Sequence, residues 1–297
     1  MIKITGIKLS IHKEESELKG KCSKLLRVSV SDFIEFKILK KSLDARKKNT
    51  IFYLYTIGIS LKNEQSILDR KQKEISLCQP KTFSLDKVKT DKTVAVVGYG
   101  PAGMYAALSL AESGFKVDVY ERGEDVDNRL ESVNKFWNDK ILNVNSNVQF
   151  GEGGAGTFSD GKLTSRSKNV RTIKVFNEFI EAGAPEEIAY VNNPHIGTDN
   201  LREVVKGIRA KTIKLGANIF FNSNVNGLII KDNIVNGLVV NNDEKKYDYV
   251  ILAVGHSARD TFKMLHEVGV EINQKPFNVG YRIEHPQILI NQSQYGE

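Results

Sequence analysis

Residues 94–121, VAVVGYGPAGMYAALSLAESGFKVDVYE, restrict the fold more than any other part of the chain. A continuously apolar run is followed by three closely spaced glycines, a helical pattern, a second apolar run and a terminal acid. A parallel strand that is covered on both faces has such a continuous apolar sequence. The order therefore predicts a βαβ unit that binds a dinucleotide at its first turn.

The three glycines of this turn have different physical tasks. Gly98 permits the tight turn, Gly100 lets the backbone approach a pyrophosphate, and Gly103 lets the helix pack close to the strand. Pro101 and Ala102 begin the helix, whose N-terminus directs free N–H groups and partial positive charge at the phosphates. These five residues are predicted to bind the cofactor.

The acid at the end of the second strand is the second part of the same signal. Glu121 follows Gly98 by 23 positions, where a carboxylate accepts hydrogen bonds from an adenosine ribose. Arg122 stands beside it and is included in the predicted cofactor site. A surface acid at a strand end is the alternative interpretation of Glu121.

A second glycine-rich stretch, FGEGGAGTFSDGK at 150–162, has five glycines in thirteen positions. Flexible linkers contain glycine with serine and little else, whereas this stretch also carries Phe158, Asp160 and Lys162. Its GEGGAG matches the glycine spacing of the first turn but lacks a preceding apolar strand and a following helix. The stretch is therefore predicted to be a loop shaped around a ligand.

The composition is that of a globular protein of about two domains, with 297 residues, 40% hydrophobic and 27% charged. No run of some eighteen apolar residues exists, so we expect no membrane span. The N-terminus lacks a secretory core and cleavage site, which favours a cytoplasmic location. The two cysteines have no metal-ligand spacing, and no metal site is predicted.

The basic excess belongs to the N-terminal segment. Residues 1–92 contain 21 Lys and Arg against 11 Asp and Glu, while the remainder has 22 against 25. Such asymmetry can mark a surface for nucleic acid or can be an ordinary solvated face. No aromatic RNA-reading motif accompanies the charge, so a nucleic-acid partner is not expected.

The fold class that follows is α/β, a Rossmann-like dinucleotide-binding domain with a β-meander insertion after a small α+β domain. We expect the small basic domain at 1–78, with a ferredoxin-like or similar arrangement and a helix at about 63–75. A linker at 79–92 precedes the Rossmann-like domain at 93–275, whose meander covers about 225–240. A further, substrate-side domain is expected to begin at 276–297.

Longer motifs add a family resemblance. The glycine turn, Glu121, the meander and YDYVILAVG at 247–255 resemble the FAD-binding half of glutathione-reductase-type flavoproteins. The chain is also similar to a family of microbial FAD-dependent dehydrogenases in the stretches SLDARKK (42–48), NVQFGEGGAGTFSDGKL (147–163), PHIGTDNL (194–201), VILAVGHSARDTF (250–262) and VGYRIEHPQ (279–287). Members of that family are longer, so the resemblance implies a chain truncated at its C-terminus.

The resemblance implies FAD as the cofactor and a flavin-mediated oxidation or reduction of a small molecule. NAD(P)H or another donor would supply electrons. The glycine-rich loop would lie along the pyrophosphate, ribityl chain and flavin edge, where successive N–H groups can bind an anion. The remaining predicted cofactor-binding residues are Gly153, Gly154, Ala155, Gly156, Thr157, Val225 and Gly255.

Three side chains are candidates for chemistry beside the flavin, which would carry out the redox step itself. His195 and His256 could orient a substrate or move protons, and Lys162 could neutralise phosphate or the charge of a reduced flavin. A structural hydrogen bond or ion pair is the alternative for each. Three alternatives stay open: an RNA-directed flavoprotein that uses the basic segment 1–92, a non-catalytic nucleotide-binding protein and an NAD-dependent dehydrogenase. A simple NAD domain, however, does not need the meander or the glycine-rich loop.

Overall fold

The computed structural model describes residues 1–79, 82–159, 161–163, 167 and 169–296. Asp160 of the glycine-rich stretch lies outside the described residues. The chain forms two compact units, one of residues 1–82, 189–194 and 276–297, and one of residues 83–188 and 195–275. The domain limits predicted from the sequence stay predictions.

The first unit is built on a four-stranded antiparallel sheet with the order β2-β3-β1-β4. This order with two helical connections is the split βαβ, ferredoxin-like arrangement. Its elements are β1 (Ile2–Ser10), α1 (Glu17–Leu26), β2 (Phe33–Asp44), β3 (Phe52–Leu61), α2 (Gln65–Leu68) and β4 (Ile75–Leu77).

The core of this unit lies between the sheet and α1. Leu18, Cys22 and Leu26 recur every four residues on one helix face, and all three are buried. Alternate residues of β1, including Ile2 and Ile4, are buried beneath them. The apolar residues that recur at helical spacing in α1 and those that alternate in β1 therefore pack together in one apolar layer.

The helix predicted at about 63–75 is wrong in its length. Only one turn, Gln65–Leu68, is helical, and Lys71 adopts a left-handed conformation with φ 49°. Ile75 then pairs with Ile4 of β1 and is buried. Pairing at the sheet edge therefore overrides the helical pattern of the second half of this segment.

The second unit contains a four-stranded parallel sheet with the order β11-β5-β6-β7. The strands are β5 (Thr93–Val97), β6 (Lys116–Tyr120), β7 (Asn218–Phe220) and β11 (Tyr249–Leu252), and the helices are α3 (Pro101–Ser113), α4 (Val126–Asp139), α5 (Arg171–Glu181), α6 (Thr198–Lys214) and α7 (Arg259–Glu267). This parallel sheet with helical crossovers confirms the α/β class predicted from the sequence.

The first crossover forms as the sequence predicts. Val94–Val97 are buried, as expected for a strand covered on both faces. Pro101 stands in the first turn of α3, and Gly114 ends the helix in a left-handed conformation with φ 100°. In the next helix, Asp125 caps α4 by accepting the N–H groups of Asp127 and Asn128.

The insertion between β7 and β11 is an antiparallel meander of three strands. These are β8 (Val225–Lys231), β9 (Ile234–Val240) and β10 (Asp243–Lys246), in the order β10-β9-β8. The sequence predicts β8 and β9 but not β10. The residues of β10, DEKK, are all charged, so they show no alternation of apolar and polar positions. Backbone pairing with β9 alone makes it a strand.

The last helix, α8 (Gln287–Tyr295), belongs to the first unit, while residues 270–286 contain no helix or strand. Across the described ranges, no helix combines the length and apolar character that a bilayer crossing requires.

Candidate functional site

A cleft of about 450 Å³ opens at the carboxyl ends of β5, β6 and β11, within the second unit. Ligands of open α/β sheets bind at this edge. The cleft is lined by residues from the first βα turn, the glycine-rich loop, the start of the meander and the segment after β11. Ten of the predicted cofactor-binding residues line it: Gly98, Gly100, Pro101, Ala102, Glu121, Arg122, Gly154, Ala155, Val225 and Gly255.

The backbone of the first turn leaves no room for side chains. Gly98 has φ +96°, and a Cβ atom there would lie 2.6 Å from the carbonyl oxygen of Ala253. A Cβ atom at Gly103 would lie 1.9 Å from the carbonyl oxygen of Gly98. The turn therefore brings the N-terminus of α3 directly against the end of β5, where Gly100, Pro101 and Ala102 line the cleft.

Glu121 is a buried acid at the floor of the cleft, 4% exposed, so it is not a surface acid at a strand end. Its Oε2 atom accepts the N–H of Tyr99 at 2.7 Å. Its Oε1 atom accepts the N–H groups of Gly123 at 2.9 Å and Gly151 at 3.0 Å. A carboxylate offers about four acceptor positions, so one further donor can be accommodated.

The glycine-rich loop packs directly on the first turn. The N–H of Gly153 donates to the carbonyl oxygen of Tyr99 at 2.9 Å. A Cβ atom at Gly100 would contact Gly154 at 3.7 Å, and one at Gly154, where φ is +66°, would lie 3.0 Å from Pro101 Cδ. The two glycine-rich segments thus form adjacent walls of one cleft.

Arg122 is fixed at the side of the cleft. Its guanidinium pairs with Asp260 at 2.9 Å and also donates to Thr261 at 3.2 Å. The same group lies 4.4 Å from the ring centre of Phe150, within the range of a cation–π contact. Arg122 therefore joins the glycine-rich loop to α7.

Glu152 lies within the glycine-rich loop and is completely buried. Burial raises the pKa of this carboxyl to about 7, while Arg209 and the N–H of Val126 act in the opposite direction. Oε2 accepts from Val126 at 2.7 Å and from Arg209 at 3.1 Å, and Oε1 has no hydrogen-bond partner among the described residues. Asp125 and Asp127 raise the pKa further.

A second cavity, of about 510 Å³, shares Pro101 and Ala102 with the cleft. Its walls are mainly apolar side chains of α3, α5 and α6. Gly153, Gly156 and Lys162 line this second cavity rather than the cleft. Thr157 is a buried residue of the loop, and Gly103 is buried within α3. The roles of the predicted cofactor-binding residues stay predictions.

The three candidate catalytic side chains do not all lie at one place. Lys162 and His195 are neighbours, since their backbones form an isolated antiparallel bridge. Both side chains are exposed. His256 is also exposed and lines the cleft, with its Nε2 atom 3.4 Å from Ser257 Oγ. A catalytic role for each of them stays a prediction.

Arg129 of α4 is a functional candidate that sequence reasoning missed. It is 0% exposed and donates hydrogen bonds to residues between Asn147 and Thr157, at the start of the glycine-rich loop. Its signal in the sequence is positional, because Val126, Arg129 and Val133 occupy one buried face of α4. A charged residue in the position of an apolar one indicates a buried partner.

Across the described residues, no group of three His, Cys, Asp or Glu could hold a metal ion.

Comparisons with known protein families match two parts of the chain. Residues 96–145 match the family described as NAD(P)-binding Rossmann-like domain. Residues 1–60 match a family described as Domain of unknown function (DUF8436). The first match covers the glycine turn, Glu121 and α4, so the Rossmann-like domain predicted from the sequence is confirmed.

Individual proteins match over longer ranges. A Clostridium beijerinckii protein described as uncharacterized is 47% identical over 299 residues, which covers 99% of this chain and 56% of that protein. Thiamine thiazole synthase of Pyrococcus abyssi is 30% identical over 148 residues, covering 50% of this chain and 46% of the enzyme. The chain spans 46–59% of the length of the first curated relatives that it matches.

Solved structures also match this chain, at low identity. L-proline dehydrogenase from P. horikoshii superposes with a TM-score of 0.42 and 16% identity, covering 64% of this chain and 58% of that one.

Proposed function

We propose that this chain binds FAD and serves a flavin-dependent oxidation or reduction of a small molecule. The observation that carries the proposal is the convergence of three separate segments on one cleft. The first βα turn, the glycine-rich loop and the start of the meander all line it. A simple NAD domain needs only the first of these.

The residues of the cleft fit a dinucleotide. The close approach of the backbone at Gly98 and Gly103 excludes side chains, and the N-terminus of α3 would hold a pyrophosphate. Glu121 has room for one further donor, which a ribose hydroxyl would supply. Val225 of the meander lies on the same cleft and would border the adenine side.

Bound FAD would supply the redox chemistry by accepting or giving electrons at its flavin ring. The chain would bind and orient the cofactor, and the mainly apolar walls of the second cavity would exclude water beside it. We assign His256, at the mouth of the cleft, to orienting a ligand or moving a proton. Lys162, whose backbone forms a bridge with that of His195, would neutralise phosphate or the charge of a reduced flavin, and His195 would orient a substrate or move a proton. NAD(P)H is the electron donor that we would test first.

The similarity to microbial FAD-dependent dehydrogenases supports a dehydrogenase as the finer assignment. It rests on long motifs such as NVQFGEGGAGTFSDGKL at 147–163. The glycine-rich loop within this motif is the one that lines the cleft beside the first turn.

The test is the visible spectrum of the purified chain, followed by chromatography of the compound that heat releases. We expect flavin absorption and released FAD, or uptake of added FAD by a colourless preparation. Failure to bind FAD under both conditions would contradict the proposal.

A nucleotide-binding function without flavin chemistry is the second candidate. It is favoured by the match of residues 96–145 to the family described as NAD(P)-binding Rossmann-like domain. Titration with FAD, NAD and ADP separates the two candidates. Binding of NAD or ADP with no affinity for FAD would support the second one.

A further inference from the structure

A single buried guanidinium organises the glycine-rich loop. Arg129 extends from α4 into the space that residues 147–157 enclose. Its Nε atom donates to the carbonyl of Asn147 at 2.9 Å, and its Nη2 atom donates to Val148 at 3.1 Å. Its Nη1 atom lies within hydrogen-bond distance of the carbonyl oxygens of Gly151, Glu152 and Gly154 and of Thr157 Oγ1, at 2.6–3.3 Å. Every one of these acceptors lies within residues 147–157, a segment that includes the first part of the glycine-rich loop.

Gly151 is held between two buried charges. Its N–H donates to Glu121 Oε1 at 3.0 Å, and its carbonyl faces Arg129 Nη1 at 3.3 Å. A Cβ atom at this position would lie 2.4 Å from Arg129 Cδ. The missing side chain of Gly151 therefore lets the backbone fold around the guanidinium.

The charge of Arg129 is expensive to bury. Burial lowers the pKa of its guanidinium to about 10, and the nearby carboxylates of Glu121 and Glu152 oppose this shift, so the group is charged at neutral pH. Its direct partners are mostly carbonyl oxygens, whose dipoles replace lost hydration. The guanidinium is a planar fork whose five N–H donors point in several directions, whereas a lysine ammonium has three donors at one point.

The geometry points to Arg129 as a positioning residue that fixes the glycine-rich loop against the first βα turn, so that the loop backbone forms a preorganised wall for the cofactor. The loop residues Phe150, Gly151, Gly154 and Ala155 line the cleft, whereas Arg129 does not. Arg129 thus acts through the loop. This inference rests on the proposed function for the nature of the ligand, but the arrangement of the loop can be measured without one.

The test compares Arg129→Lys with the unaltered chain by hydrogen exchange and by FAD titration. In the variant, we expect the amides of residues 147–157 to exchange at least about tenfold faster, while the amides of β5 and β6 keep their protection. We expect the FAD dissociation constant to rise at least about tenfold, equivalent to about 1.4 kcal/mol. At saturating FAD, the flavin fluorescence should move towards that of free FAD.

Thr157→Val is a milder second variant, because it removes one hydroxyl acceptor and leaves the guanidinium in place. We expect a smaller change in the same direction. Lys174→Met is the matched control in the same unit, since it removes a cation whose ion pairs within the described residues are with Glu112 and Glu178, outside the loop. It should leave loop exchange and flavin fluorescence unchanged, even if it lowers stability.

Unchanged loop exchange in Arg129→Lys would overturn the inference. Equal loss of protection in the loop and in β5 and β6 would also overturn it, because Arg129 would then stabilise the whole unit rather than position the loop. If the unaltered chain binds no FAD, the proposed function fails, and the exchange measurement still decides the role of Arg129.

Discussion

Glu121 at the end of β6 holds Gly151 of the glycine-rich loop, 30 residues further along the chain, through a 3.0 Å hydrogen bond to its backbone N–H. The same carboxylate accepts the N–H of Tyr99 in the first βα turn. One buried side chain therefore ties both glycine-rich segments together. This connection explains why they line one cleft.

Glu121→Gln tests this connection. The glutamine amide would direct an NH₂ group at one or more of three backbone N–H donors and would leave buried donors unpaired. We expect a loss of about 2 kcal/mol in the free energy of unfolding, measured by denaturant titration, and weaker FAD binding. The exposed Glu131 in α4 provides the control, since Glu131→Gln should change neither quantity. Equal stability of the two variants would contradict the assigned hydrogen bonds.

Gly154→Val tests whether the loop must approach the turn closely. The added side chain would press against Pro101 Cδ and Gly100 Cα, 3.0 and 3.3 Å from its Cβ atom. We expect the protein to fold but to lose bound flavin, measured as the ratio of absorbance at the flavin band to that of protein. Gly216→Val is the matched control, because Gly216 also has positive φ but has no atom within 4 Å of an added Cβ. Retained flavin in Gly154→Val would refute a ligand-shaped loop.

Gly103→Ala tests the contact between α3 and β5. A methyl group 1.9 Å from a backbone oxygen forces the helix away from the strand. We expect destabilisation by about 1–3 kcal/mol, with weaker nucleotide binding. Gly20→Ala in α1 meets no neighbour within 4 Å and should instead stabilise its own unit by about 0.5–1 kcal/mol. Urea unfolding of the two variants measures both changes in the free energy of unfolding, the decrease and the increase. An increase in Gly103→Ala would contradict the close packing.

Glu152 makes the stability of the second unit depend on pH. Its pKa is about 7 in the folded chain against a model-peptide value of 4.5. Between these values the folded state holds more protons than the unfolded state, so the free energy of unfolding falls as pH rises from about 4.5 to 7. At roughly 1.4 kcal/mol per pKa unit, the decrease from this group is about 3 kcal/mol.

Glu152→Gln should remove this pH dependence. Unfolding of both proteins between pH 5 and pH 8 measures the effect. The variant should gain stability relative to the parent as pH rises, because only the parent must ionise a buried carboxyl. The loss of the ion pair in the variant costs little, since Arg209 keeps part of its solvent contact. A difference between the two proteins that does not vary with pH would rule out the raised pKa.

Local sequence patterns were sufficient to predict the framework of the second unit. The apolar run at 94–97, the glycines at 98, 100 and 103 and the acid at 121 have the predicted places in β5, the turn, α3 and the end of β6. They could be predicted because glycine spacing and apolar periodicity act over a few residues. The same reasoning failed at 63–75, where pairing with β1 ended a helical pattern, and at β10, whose polar residues give no pattern.

The sequence by itself determined that a dinucleotide-type turn and a second glycine-rich loop exist in this chain. Only the tertiary structure decided that Glu121 holds the loop, that Arg129 lies within it, and that Lys162 lines a different cavity from His256. The physical reason is the range of the interactions. Backbone conformation depends on adjacent residues, whereas these buried charges find partners that folding brings from 18 to 57 positions away.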